Sequence, residues 1–193
     1  MSSQTSGARQ HGEETPLLAL TAVSSQLVVD AAKAEVRVIG QAVDQFERRT
    51  YARTVMSFIE GVNYCQARVA QRHEGLSREA RLRARAATCA ERARAREAQE
   101  ASRVATRMRT AFAAFAAAYE VGNPLDTRGS EWEDFRHCIR IRNRITHPRS
   151  GKDCQVTDDD VSLVRRVHAW YLALSGELVA SVPAAGLAPS TPP

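Results

Sequence analysis

Apolar residues along this chain recur three and four positions apart, the spacing of one helix face, while the alternation that marks strands is weak. The clearest case is Ser130 to Arg149, SEWEDFRHCIRIRNRITHPR. At ~100° per residue, Trp132, Phe135, Cys138, Ile139, Ile141 and Ile145 fall within one half of the helix circumference. Arg136, His137, Arg140 and Arg144 fall on the other half. Ser130 followed three residues later by Glu133 predicts a capping box, with Glu131 and Asp134 favoured at the positive end of the helix dipole. Pro148 predicts an exit at His147, because the residue before a proline is pushed out of the helical region.

Arg142 breaks this pattern. It projects near the middle of the apolar arc, between Phe135 and Cys138. A guanidinium cannot give up its charge, and burying it unpaired costs several kcal/mol or more. The position therefore demands an anionic or polar partner, or a cleft in which a ligand supplies one. Asn143 follows it directly, and His147 comes where the helix must stop. The bland alternative is that Arg142 snorkels from a helix edge and His147 only caps the C-terminus.

Residues 16 to about 49 read as one helical run, with Leu27, Asp30, Ala31, Ala34, Val38, Ala42 and Phe46 in register and Gly40 a weak point. A second helix is predicted over about 51–72 from Val55, Phe58, Ile59, Val62, Cys65 and Val69. Glu60 and Asn63 border its apolar face and are expected to be solvated. Residues 77–103 are almost wholly Ala, Arg and Glu, which predicts a solvated helix projecting from the body or forming the exposed front of the next one. The apolar stripe returns at Val104, Met108, Ala111, Phe112, Phe115 and Tyr119 and ends near Gly122-Asn123-Pro124. After the Ser130 helix, Arg149 to Lys152 reads as a turn. Thr157 with Asp158, Asp159 and Asp160 caps a last helix carrying Val161, Val164, Val167, Tyr171, Leu172 and Leu178. His168, beside that stripe, is expected to be structural.

The sum is an all-α antiparallel up-and-down bundle of four to five helices. It is expected to span residues 16–182, between a disordered tail at 1–15 and a flexible Pro-rich tail at 183–193. A chain of 193 residues suits one domain with a sizeable core.

Composition changes this picture little. The net charge of +5 is almost wholly arginine, Lys33 and Lys152 being the only lysines, so a nucleic-acid partner is allowed. Abundant arginine with abundant alanine also follows from a GC-rich genome, and Glu79, Glu91, Glu97 and Glu100 cut the positive field of the Ala/Arg/Glu stretch. The four cysteines, Cys65, Cys89, Cys138 and Cys154, are far apart and form no CxxC pair. They read as reduced thiols of a cytosolic protein. No carboxylate cluster or His/Cys spacing suits a metal, so neither metal nor cofactor is expected. No window of 18 apolar residues exists and the first residues lack an apolar secretory core, so no membrane span and a cytoplasmic location are expected.

The run Arg142-Asn143-Arg144-Ile145-Thr146-His147 resembles the R-x(4–6)-H motif of the HEPN superfamily, with four intervening residues and the polar Asn directly after Arg that its members favour. The setting is similar too: a helix opened by Trp132, a histidine at the exit, a Pro/Gly turn and an acid-capped final helix. SFIEGVNYCQ resembles the helix that precedes the motif helix in such domains. The resemblance covers roughly residues 25 to 180 and leaves about 77–103 as an insertion.

What the resemblance implies is a bundle that forms a homodimer, bringing two Arg/His pairs into one cleft. Many such domains are metal-independent endoribonucleases acting as toxins or defence effectors, beside an antitoxin or another neighbouring-gene partner. Carried over, Arg142 would hold the scissile phosphate, His147 would transfer protons and Asn143 would orient the pair. Arg140, Arg144 and Arg149 would bind RNA beside them. The chemistry needs those types: RNA is cut by its own 2′-hydroxyl if a base removes that proton and the phosphorane's added charge is held. Histidine as a type titrates near neutrality, and a preorganised guanidinium forks onto two phosphate oxygens. Related domains include inactive ones, so a non-catalytic RNA- or nucleotide-binding or protein-interaction module is the alternative. A third reading is a purely structural domain in which a carboxylate such as Glu60 satisfies Arg142 internally.

Overall fold

A computed structural model describes residues 16–39, 44–72, 76–97 and 102–183. The tail expected at 1–15 and all but the first residue of the tail expected at 183–193 lie outside them. The described residues form six α-helices and no strand: α1 Pro16–Ile39, α2 Gln45–Arg72, α3 Arg78–Glu97, α4 Arg103–Tyr119, α5 Ser130–Thr146 and α6 Asp158–Ala180. A single 3-10 turn, Gly151–Cys154, separates α5 from α6. None of these helices is long and apolar enough to cross a membrane.

The all-helical expectation holds, but the number of helices does not. The run read from 16 to about 49 is two helices, and Phe46 belongs to the second, where it is exposed. The restart has a local cause, since the Asp44 carboxylate accepts the Glu47 N–H at 2.9 Å and satisfies a free donor of the first turn of α2.

Helix α2 runs through the middle of the fold and meets all five others. Tyr51, Val55, Phe58, Ile59 and Val62 are buried along it, each large side chain contributing roughly 1.5–3 kcal/mol by leaving water. On one flank α1 approaches closely at Gly61, where a Cβ would come within 2.7 Å of the Leu27 side chain. On the other side Tyr171 of α6 stands edge-on to Phe58 at 5.5 Å and to Phe112 of α4 at 6.1 Å. Its hydroxyl donates to the side-chain oxygen of Asn63 at 2.9 Å. Asn63 is therefore buried, not solvated, because it holds the polar tip of a core tyrosine. His168 is structural as expected: buried, 3.3 Å from Glu35 through Nδ1 and edge-on to Phe58. The four cysteines are free thiols, and burial pushes that of Cys138 up to about 12, which keeps it unreactive.

Helix α3 corrects the reading of 77–103. It does not project into solvent but packs along α4. Its contact face is Ala80, Ala84, Thr88, Glu91 and Ala95, all buried and three or four positions apart. Alanines bury little area each but let two helix backbones lie close, so a helix without large apolar side chains still docks. Glu91, counted among the solvated acids, is buried and accepts from Arg109 Nε of α4 at 3.0 Å, with Arg94 pairing beside it. Arg83 reaches the end of α4, donating to the Ala117 carbonyl at 3.3 Å and pairing with Glu120, whose left-handed backbone (φ 57°) terminates that helix.

Helix α5 spans the expected residues but is not capped as expected. Gly129 is the N-cap, with no side-chain bond to the first turn. Ser130 is already helical, and its hydroxyl donates to Glu131 at 3.1 Å. The preceding loop is tightened instead by Asp126, which accepts the Arg128 N–H at 2.8 Å. The reciprocal box forms at α6, between Thr157 and Asp160.

Candidate functional site

Helices α2 and α5 lie side by side and antiparallel, and Arg142 sits on their seam. Its Nη2 is 3.2 Å from Glu60 Oε1 of α2, and its Nη1 donates to the Asn143 side-chain oxygen at 3.1 Å. The mid-arc position on the wheel thus becomes a seam position, with the stem covered and the head beside a carboxylate. The Glu60 oxygen is itself buried and receives no aligned hydrogen bond, so the contact is between charges rather than a directed bond. The two side chains remain 31% and 27% exposed, which leaves the pair open to solvent.

His147 follows the last turn of α5. Its N–H still donates to the Asn143 carbonyl at 2.9 Å, while its backbone (φ −128°, ψ 62°) has left the helical lattice, as Pro148 requires. The imidazole is exposed and has no partner among the described residues. Thr146 closes the turn by donating its hydroxyl to the Arg142 carbonyl at 2.6 Å.

A further cation stands here that the sequence reading missed. Arg53 of α2 donates from Nη2 to the Ile145 carbonyl at 2.6 Å, capping one of the free carbonyls at the end of α5. The signal was available, since Arg53 lies seven positions before Glu60 and so on the same face of α2.

The segment after His147 is tied down from two sides. Asp153 accepts the Arg149 and Ser150 N–H groups, both at 2.8 Å, and the Ser150 hydroxyl at 3.1 Å. These bonds, the Arg149 N–H foremost, hold its carboxyl below the ordinary value. From α2, Arg49 donates to the Cys154 carbonyl and Arg48 to the Val156 carbonyl, each at 3.1 Å. Gln45 both donates to and accepts from the backbone of Val156. The exit carrying His147 is thus anchored to the first turns of α2.

The expected RNA-binding arginines divide. Arg140 and Arg149 are exposed, their guanidinium groups without partners among the described residues. Arg144 faces α6, where its Nη2 meets Asp160 at 2.8 Å and its Nη1 donates to the Gln155 carbonyl. A phosphate at Arg144 would have to displace both. Arg142, Asn143, Glu60 and Arg53 gather on the seam, with His147 at its end. No protein-family model, no curated protein and no solved structure matches this chain.

Chemically, the seam offers a guanidinium aimed by a neighbouring amide and carboxylate and a second arginine on the Ile145 carbonyl, with an exposed imidazole after the last turn of α5. A guanidinium as far buried as that of Arg142 would grip an anion more strongly than a fully hydrated one.

Proposed function

We propose that this protein is a HEPN-like, metal-independent endoribonuclease, a toxin- or defence-type effector acting as a homodimer. The observation that carries the reading is that a partly buried, carboxylate-held Arg142 and an exposed His147, without a partner among the described residues, lie five positions apart at the same end of α5. Arg142 takes the scissile phosphate, Asn143 aims it, and Arg140 and Arg149 hold flanking phosphates. A His147 removes the proton of the 2′-hydroxyl. As the 2′-oxygen–phosphorus bond forms and the phosphorus–O5′ bond breaks, Arg142 balances the charge gathered on the phosphorane. A proton returned to O5′ by the His147 of the second protomer completes the step, leaving a 2′,3′-cyclic phosphate and a 5′-hydroxyl.

The test is cleavage of RNA in EDTA. Wild type is expected to leave those two end groups, and His147→Ala to be slower by about 10²–10⁴-fold, the range for a lost general acid–base. Arg142→Ala should be at least as impaired. Equal activity of wild type and variant, or none in either, removes the reading. A non-catalytic RNA- or nucleotide-binding module on the same bundle is the second reading, favoured by the Glu60 carboxylate, which already neutralises Arg142. It predicts RNA binding that depends on Arg142 without any cleavage.

A further inference from the structure

The outer edge of α2 carries two large aromatic side chains that neither the core nor the candidate site uses. Phe46 is 66% and Tyr64 63% exposed. They stand eighteen positions apart, about five full turns, so they share one bearing about 27 Å apart along the axis. Between them on that edge come Arg53, Ser57 and Glu60. Arg68, one turn beyond Tyr64, donates from Nη1 to its hydroxyl at 3.2 Å and sets a positive charge at the tip of the ring. The edge runs beside the last turns of α5, touching the Ile145 carbonyl through Arg53 and Arg142 through Glu60. A strand laid along it passes Arg142 between the two rings.

We propose that this edge is a track for single-stranded RNA, with Phe46 and Tyr64 each stacking one unpaired base on either side of the phosphate held by Arg142. The proposal rests on the nuclease reading for the fate of that phosphate and deepens it by assigning Phe46 and Tyr64 to hold the strand on either side of it. An aromatic ring accepts the face of any base, and faces are free only where the strand is unpaired. Arginines between and beyond the rings suit a phosphate backbone. The residues between the rings are polar, which is unlike the contiguous apolar centre of a protein interface, and the chain carries a net charge of +5.

The experiment measures binding of the full chain to a labelled ten-nucleotide oligouridine made uncleavable by 2′-O-methylation, with a duplex of equal length as comparison. Tyr64→Ala and Phe46→Ala are each expected to weaken single-strand binding about 5- to 100-fold, the size of one base–aromatic stack. Tyr64→Phe should stay within about twofold because the ring is kept. Duplex binding should not change, and circular dichroism melting should match wild type. Alanine variants that bind like wild type, or a wild type that binds no single strand, overturn the track whatever the cleavage assay gives. The expected binding pattern without cleavage of ordinary oligouridine keeps the track and removes the nuclease. Unchanged RNA binding with lost self-association in sedimentation would make the rings a protein interface and overturn the proposal.

Discussion

Glu60 on α2 and Arg142 on α5 meet at 3.2 Å across the seam of their helices, close enough to neutralise each other and open enough for a phosphate to intervene. Glu60 therefore acts on Arg142 in two opposed ways, aiming the guanidinium and competing with any anionic ligand for it.

Replacing the carboxylate separates those two effects. Partly exposed ion pairs are worth roughly 0–1 kcal/mol, so Glu60→Gln is expected to change stability by less than about 1 kcal/mol. Freed of its competitor, Arg142 should hold an uncleavable RNA about 2- to 5-fold more tightly, the equivalent of the same energy. Anisotropy titration at fixed salt measures this. Weaker binding would mean that aiming outweighs competition.

Asp153 makes the loop after His147 sensitive to acid. Its folded-state carboxyl lies below the ordinary 3.8 because the Arg149 and Ser150 N–H groups bond the charged form. The folded chain thus holds that proton less tightly than the unfolded chain. Its contribution is fully present above the ordinary carboxylate range and is lost as pH falls below it toward the depressed value. Asp153→Asn should therefore lower the melting temperature at neutral pH, and the deficit should shrink below about pH 4. A deficit unchanged between pH 7 and pH 3 would refute the assignment.

The Glu91–Arg109 pair ties α3 to α4 beside the alanine stripe, with both side chains nearly buried. Arg109→Met leaves the buried Glu91 carboxylate held by Arg94 alone and should cost about 1–3 kcal/mol in denaturant unfolding. Adding Glu91→Leu should recover most of that loss, since an apolar pair of similar volume often replaces a buried ion pair without penalty. A single variant as stable as wild type would return α3 to the solvated helix that its composition suggests.

Tyr171→Phe removes the donor that satisfies the buried Asn63 oxygen and keeps the ring between Phe58 and Phe112. The expected cost is about 1–3 kcal/mol, from an unpaired buried acceptor rather than from lost packing. Unfolding midpoints measure it, and a double variant with Asn63→Leu should show strong coupling.

What could be read from the chain alone was local. The end of α5, the turn at His147-Pro148 and the cap at Thr157 depend on neighbours within four residues, and the structure places each where the pattern does, while the start of α5 moves one residue earlier, to a Gly129 cap. That Arg142 needed an anionic partner was also legible, because a permanent charge on an apolar arc forces the question. The break between α1 and α2 was missed although its signal, Asp44 three residues before Glu47, is local as well.

Tertiary structure decided the rest. Arg142 and Arg144 are two positions apart on one helix, yet one turns to Glu60 and the other to Asp160. Glu91 reads as a surface acid until Arg109, eighteen residues away, covers it. Asn63 reads as a border polar until Tyr171, 108 residues away, lowers its hydroxyl onto it. Periodicity tells which face of a helix is apolar, because that depends only on the turn of the backbone. Glu60 was already a candidate partner for Arg142, but that Asp160 answers Arg144 and Glu91 answers Arg109 depends on how the helices pack, and only the folded chain contains that.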